Sequence, residues 1–201
     1  MDAYHALEKL IQGNKRYVTE RYAKNNVGVQ RRSQLINMQD PFAVILGCSD
    51  SRIPPEIIFD QGLGDLFVVR TAGQVVDDVV LGSIEYAVEH LDIRLVVVLG
   101  HGDCGAVKAA VNGSLCQGHI ETIRQAIQPA LKKANTQAGE LLTNAISSNV
   151  EFTVWRLKIS SPLLQKAITN KGLHIIGAIK DLPTGNVIFD TVDNHDFKMF
   201  S

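Results

Sequence analysis

Short apolar runs alternate with amphipathic stretches along most of the chain, and this order predicts repeated βα units. Four runs are apolar almost without interruption, which favours parallel strands buried on both faces. They cover residues 42–46, 66–69, 95–99 and 174–179. A further run at 186–189 follows Pro183-Thr184-Gly185, a sequence typical of a tight turn. The pattern predicts a three-layer α/β fold, with a mostly parallel central sheet of four strands, an antiparallel edge strand and flanking helices.

The stretches between these runs repeat apolar residues at the spacing of one helical face. Residues 79–91 place Val80, Ile84 and Val88 on such a face. Further helices are predicted over residues 106–111, 120–134 and 139–157, and Ser161 before Pro162 predicts the start of another.

The first 35 residues differ from the rest, because a helical pattern gives way to a basic, polar stretch. We predict a helical arm over residues 1–35 and leave two interpretations open: a solvated arm, or an arm that packs on a partner subunit. The whole chain of 201 residues is long enough for one domain, and two full-sized domains would be crowded.

Composition and charge restrict the class of partner. The 20 basic and 21 acidic residues nearly cancel, so the chain lacks the basic surface typical of proteins that bind nucleic acid or anionic membranes. No apolar run approaches the roughly 18 to 20 residues that span a bilayer. The N-terminus shows no secretory signal, so we expect a cytoplasmic protein with a small-molecule substrate, or a periplasmic one if the chain is a trimmed mature form. Three cysteines are too few for a disulfide scaffold. We interpret them as reduced thiols that are available to bind a metal.

Polar residues with metal-binding chemistry follow two of the predicted strands. The first strand leads into Cys48, Asp50 and Arg52, and the third leads into His101 and Cys104. Ligands of open α/β sheets bind beyond the carboxyl ends of the strands. If the first and third strands are neighbours, the two groups face each other.

Two thiolates and one imidazole form a recognised zinc ligand set that leaves a fourth position for water. His101 and Cys104 are three residues apart and can chelate one ion, while Cys48 comes from the other strand. The alternative is that both cysteines are small buried apolar residues and that the histidine is structural. Likewise, Asp50 and Arg52 could be a carboxylate and its clamp beside a metal, or an ordinary ion pair.

Other polar residues near these motifs carry weaker hypotheses. Residues 100–105 formally match the glycine fingerprint of dinucleotide-binding folds, but bulky metal-seeking side chains occupy its variable positions, which argues against a nucleotide. His119 is the one other histidine near enough in sequence to be considered as a proton relay, and Cys116 is interpreted as a structural or surface thiol.

The motif Cys48-Ser49-Asp50-Ser51-Arg52, together with His101-x-x-Cys104-Gly105, resembles the β-carbonic anhydrases of bacteria and plants. The resemblance extends from Leu7 through the predicted strand segment from Gly172 to Asp181. It implies a single β-carbonic anhydrase domain over residues 1–201 that catalyses the reversible hydration of carbon dioxide to bicarbonate and a proton through zinc-bound hydroxide.

The resemblance also assigns residue roles. It implies one Zn²⁺ per subunit held by Cys48, His101 and Cys104, and an Asp50–Arg52 dyad in which Asp50 either ligates zinc or turns to the arginine and admits water. It further places Gln39 near the carbon dioxide site of the partner subunit, Tyr86 in the pocket wall and Gly105 as a backbone neighbour of the substrate. A homodimer or a dimer of dimers is the implied assembly.

The sequence departs from the family pattern at the rim of the predicted pocket. Thr71 and Gln74 stand where many relatives carry asparagine, and Ile45 replaces a tryptophan that one subgroup uses for an inhibitory bicarbonate pocket, although Arg70 matches that pocket's arginine. Two alternative functions stay open: hydrolysis of carbon disulfide or carbonyl sulfide on the same scaffold, and a non-catalytic protein that binds zinc or bicarbonate.

Overall fold

Five strands form one sheet in the computed structural model, which describes residues 1–23, 27–113 and 117–190. The order across the sheet is β2-β1-β3-β4-β5. Strands β1 to β4 are parallel, and β5 runs antiparallel to β4 along the edge, which confirms the predicted fold class. The strands are β1 Ala43–Cys48, β2 Leu66–Thr71, β3 Leu95–His101, β4 His174–Lys180 and β5 Val187–Phe189.

Eight helices flank the sheet in the described parts of the chain. The helices predicted between the strands are all present, and the one predicted over 139–157 extends to residue 160. A 3₁₀ turn, Ala72–Gln74, follows β2. The helices are α1 Ala3–Val18, α2 Val29–Gln34, α3 Pro55–Ile58, α4 Asp78–His90, α5 Gly105–Val111, α6 Ile120–Ala134, α7 Leu141–Ser160 and α8 Pro162–Lys171. None of the described helices is long and apolar enough to cross a bilayer.

Strands β1 and β3 lie side by side at the centre of the sheet and are buried along their whole length. On one face, Val44, Leu46 and Val98 join a cluster with residues of α4, α7 and α8. On the other face, Ile45 and Leu99 pack with residues of α1 and α3. Because the two strands are parallel neighbours, their carboxyl ends lie side by side. The polar residues that follow β1 and β3 can therefore face each other, as the sequence predicts for neighbouring strands.

Helix α1 belongs to the core of its own chain. Ala6 and Leu10 are fully buried in the cluster with β1 and β3. Asn14 donates to Ile58 O (3.2 Å) and Gly185 O (3.0 Å), and its Oδ1 accepts from the backbone N–H of Val187 (2.9 Å). The interpretation of residues 1–35 as a solvated arm is therefore wrong for α1. Packing on a partner stays a prediction for the exposed residues that follow it.

Strand β2 is only half-buried, in contrast to the prediction of four strands buried on both faces. It lies at the edge of the sheet, where only β1 pairs with it. An apolar strand at such an edge leaves surface that a second chain can cover.

Candidate metal centre

Three metal-binding side chains converge at the carboxyl ends of β1 and β3. Cys48 is the last residue of β1, His101 is the last residue of β3, and Cys104 caps the start of α5. Their donor atoms lie within 4.8 Å of one another, all three residues are buried, and the two Sγ atoms are 4.0 Å apart. A tetrahedral zinc ion with these ligands needs donor separations of about 3.6 to 3.8 Å, so the cluster is close to the size that one ion requires.

The orientation of the His101 ring provides the test of whether a metal fits. Nδ1 lies 2.8 Å from Gly102 O, so this nitrogen carries the proton and donates it to the carbonyl. The lone pair is then on Nε2, which is buried and has no hydrogen-bond partner. A buried acceptor without a donor is costly, and a metal ion bound to Nε2 removes that cost. The ligand set predicted from the sequence therefore has the geometry and the unsatisfied donor atom of a metal centre.

The two cysteines are held in unequal environments. The hydrogen bond between the two thiols is the main cause that lowers the pKa of the Cys48 thiol, and the backbone N–H of Gly73, 3.3 Å from its sulfur, acts in the same direction. The same hydrogen bond and burial raise the pKa of Cys104. A divalent cation that binds both sulfurs must displace the proton of Cys104, since thiolates are the ligands.

Gly73 is required at its position beside Cys48. Its φ of +68° is left-handed, and a Cβ would approach Ala106 and Ile127 at 3.0 and 3.1 Å. The Asn149 side chain donates to Gly73 O at 2.9 Å and fixes the turn. The backbone donor to the Cys48 sulfur is thus built into the 3₁₀ turn after β2.

Asp50 and Arg52 form a bidentate pair beside the three ligands. Arg52 donates from Nε to Oδ1 (2.9 Å) and from Nη2 to Oδ2 (2.7 Å), and its backbone N–H also reaches Oδ1 (2.9 Å). These hydrogen bonds hold the pKa of Asp50 well below its usual range. The predicted pair is confirmed as an interaction. In the structure the Asp50 carboxylate is turned to the arginine and is not one of the three converging ligands.

Two residues around this pair have roles that the sequence did not reveal. Arg70 donates to Cys48 O (2.9 Å) and Asp50 O (2.7 Å), so it braces the loop after β1. Asp103 lies between His101 and Cys104 in the sequence, and its Oδ2 is 3.9 Å from Nη1 of Arg52. Both contacts depend on strand register and loop conformation, and no sequence motif signals either of them.

The remaining predicted site residues are less close to the cluster. Gly105 begins α5 directly after Cys104, and a Cβ there would meet no atom within 4 Å. Gln39 is exposed before β1. Tyr86 lies on α4, is 49% exposed, and its ring is near those of Phe67 and His90. Among the described contacts, none joins Gln39 or Tyr86 to the three ligands, so their roles stay predictions.

Local packing accounts for the first glycine of the fingerprint at 100–105. A Cβ on Gly100 would lie 2.4 Å from the Val150 side chain, and the backbone N–H of Gly102 donates to Lys180 O at 3.0 Å. Gly100 therefore serves the close contact between β3 and α7, a structural role that needs no nucleotide. His119 lies at the start of α6 and is exposed. Cys116 lies outside the described residues.

Comparison with known proteins gives a consistent result over most of the chain. A family model described as carbonic anhydrase matches residues 43–187. Carbonic anhydrase 2 of Mycobacterium tuberculosis is 41% identical over 187 residues, which cover 91% of this chain and 90% of the relative. The carbonic anhydrase of Mycolicibacterium smegmatis is 39% identical over 186 residues and covers 90% of each chain.

Solved structures show the same fold. The β-carbonic anhydrase of Coccomyxa, in complex with acetazolamide, has a TM-score of 0.72 at 28% identity and covers 91% of this chain and 85% of its own. One of two tetrameric β-carbonic anhydrases from Sordaria macrospora has a TM-score of 0.72 at 27% identity and covers 79% of this chain and 84% of its own.

Proposed function

Because the chain belongs to the β-carbonic anhydrase family, we propose that it holds one zinc ion through Cys48, His101 and Cys104 and that Asp50 and Arg52 control access to the metal. The chain is a carbonic anhydrase, and the reaction of the family is the reversible hydration of carbon dioxide to bicarbonate and a proton. The observation that carries the zinc proposal is the buried, unpartnered Nε2 of His101 beside two thiols.

Zinc suits this donor set because two thiolates and an imidazole are among its usual ligands. When bound, the zinc ion would act as a Lewis acid that lowers the pKa of a water molecule, so that hydroxide is available as a nucleophile near neutral pH. The residues Cys48, His101 and Cys104 would fix it at the carboxyl ends of the central strands, and the hydrogen bond from His101 to Gly102 O keeps the imidazole in the tautomer that can bind.

Asp50 is proposed to accept a hydrogen bond at the reacting end of the site. Arg52 fixes the carboxylate through two side-chain hydrogen bonds, and Arg70 fixes the backbone of the same loop. A carboxylate with a strongly lowered pKa stays ionised at neutral pH and accepts hydrogen bonds without taking the proton. This arrangement supports a role for Asp50 in orienting the nucleophile toward the substrate carbon.

A second copy of the chain is proposed to complete the pocket. Large apolar side chains are exposed on and around α2, and more are exposed on α4 beside the edge strand β2. They are Val27, Val29, Ile36, Met38, Val79 and Tyr86. Large apolar side chains that a folded chain leaves exposed are candidates for burial against a second chain. The Sordaria macrospora relatives are tetrameric, which supports a homodimer or a dimer of dimers here. Such an assembly is what the proposed pocket roles of Gln39 and Tyr86 require.

Acetazolamide binding tests the metal proposal, because this compound is bound by the Coccomyxa relative. We expect one molecule to bind per zinc-loaded chain in a calorimetric titration and none to bind after chelation of the zinc. Cys48→Ser should lose both zinc and the inhibitor, whereas Cys116→Ser, the matched cysteine control, should keep both. Equal affinity for zinc-loaded and metal-free protein would contradict the proposal.

A further inference from the structure

Arg52 faces a second carboxylate on the side that Asp50 does not use. Nε and Nη2 donate to Asp50, while Nη1 lies 3.9 Å from Oδ2 of Asp103. The side chains of Arg52 and Asp103 are 50% and 54% exposed, so both can adjust their positions. A guanidinium presents donors on two edges and can exchange one carboxylate for another by a small rotation.

The backbone holds Asp103 at a fixed place relative to the metal centre. Its φ of +56° is left-handed, a conformation that costs energy in most residues and that aspartate tolerates better than most. His101 and Cys104, on either side of it, are two of the three ligands, so the turn that brings the ligands together also directs Asp103 toward Arg52.

Lys108 provides a competing partner for Asp103. It lies one turn into α5 and forms an ion pair with Oδ1 of Asp103. Negative and positive charges therefore alternate along Asp50, Arg52, Asp103 and Lys108. If one ion pair in this row breaks, each of its two residues can pair more closely with its other neighbour.

We propose that Asp103 is a positioning residue that retains Arg52 when Asp50 turns away from it toward the metal. The proposal rests on the proposed role of the Asp50–Arg52 pair as a control of access. Without Asp103, the arginine left by Asp50 would have no carboxylate partner among the described residues, so the state in which Asp50 leaves Arg52 would become less populated. Exposed ion pairs of this kind contribute little each, so the expected change in population is about two- to fivefold.

Azide binding to the cobalt-substituted protein measures this population at one fixed pH. Azide competes with Asp50 for the metal, and the visible absorption of cobalt reports the change of ligand independently of turnover. Asp103→Asn should tighten azide binding about two- to fivefold, because Asp50 is then held more firmly by Arg52. Lys108→Met should weaken it by a similar factor, because Asp103 is then freed for Arg52.

An Arg52→Gln background separates the proposed contact from a simple effect of charge near the metal. If Asp103 acts through Arg52, then Asp103→Asn should leave azide affinity unchanged in that background. An equal tightening with and without Arg52 would overturn the proposal, as would the absence of any effect of Asp103→Asn in the otherwise natural protein.

Asp50→Asn distinguishes failure of this inference from failure of the proposed function. Removing the competing carboxylate should tighten azide binding whatever Asp103 does. If Asp50→Asn tightens binding and Asp103→Asn does not, only the role of Asp103 is wrong. If Asp50→Asn also has no effect, Asp50 does not control access to the metal, and both proposals are overturned.

Discussion

The proposed orientation of the nucleophile depends most on one group, the carboxylate of Asp50. Asp50→Asn keeps the size of the side chain but removes the charge that accepts hydrogen bonds from Arg52. Because a preorganised hydrogen-bonding group at the reacting end of a site contributes about 10² to 10³-fold to catalysis, we expect hydration to slow by at least about a hundredfold. Zinc content, measured by metal analysis, should not change. Ser51→Ala in the same loop is the control, and normal turnover of Asp50→Asn would exclude the role.

The lowered pKa of Asp50 excludes this carboxylate as the source of a change in rate between pH 6 and 9. A carboxyl group whose pKa is lower in the folded state contributes stability above its unfolded value near 4 and loses it only as the pH falls through the lowered value. Asp50 is therefore ionised throughout the range from pH 6 to 9. We expect the hydration rate to rise through the mildly alkaline range, because a zinc ion held by Cys48, Cys104 and His101 would acidify a bound water less than one held by three imidazoles. A flat rate from pH 6 to 9, measured by stopped-flow, would be inconsistent with this ligand set.

The sequence predicted the residues that bind through their own chemistry and missed those that act through geometry. Cys48, His101 and Cys104 were identifiable because cysteine and histidine at strand ends are typical metal ligands. The contact of Arg70 with the loop after β1 and that of Asp103 with Arg52 were not, because the first depends on the pairing of β2 with β1 and the second on a left-handed turn.

At the level of elements, the buried strands and the helices between them follow from hydrophobic periodicity. The placement of α1 does not, since an amphipathic helix with short apolar residues fits its own sheet or a partner equally well. Helix α1 approaches the core closely through Ala6, Leu10 and Gly13. This contact depends on the positions of α3 and the turn before β5, which the local sequence of α1 does not specify. The partial exposure of β2 could not be predicted from the sequence either. Its residues are as apolar as those of a buried strand, and its position at the edge is set by the order of the strands in the sheet.

Gly13 and Gly82 offer a matched test of the packing of α1. A Cβ on Gly13 would lie 1.8 Å from Phe59 O, whereas one on Gly82 of α4 would meet nothing within 4 Å. Gly13→Ala should lower the free energy of unfolding by about 1 to 3 kcal/mol, because α1 must shift. Gly82→Ala should raise it by about 0.5 to 1 kcal/mol through helix propensity. Urea denaturation at equal protein concentration measures both, and an unchanged stability of Gly13→Ala would refute the close packing.

At the level of the whole molecule, the exposed apolar residues support the proposed assembly of more than one chain. Ile36 and Met38 are 76% and 63% exposed in the stretch that leads to Gln39. Ile36→Asp should raise the dissociation constant of the dimer at least about tenfold, because a charge would be buried at the interface. Sedimentation analysis measures the constant, with Ile120→Asp on α6 as an exposed isoleucine control. A monomer in the natural protein, or equal effects of both substitutions, would contradict the assignment of this surface.

The most direct test of the central claim is the rate of carbon dioxide hydration per bound metal ion, measured by stopped-flow together with zinc analysis of the same sample. We expect one zinc per chain, loss of activity in proportion to zinc removed by a chelator, and recovery when zinc is returned. Full activity in zinc-free protein, or a chain with one zinc that fails to hydrate carbon dioxide, would contradict the account.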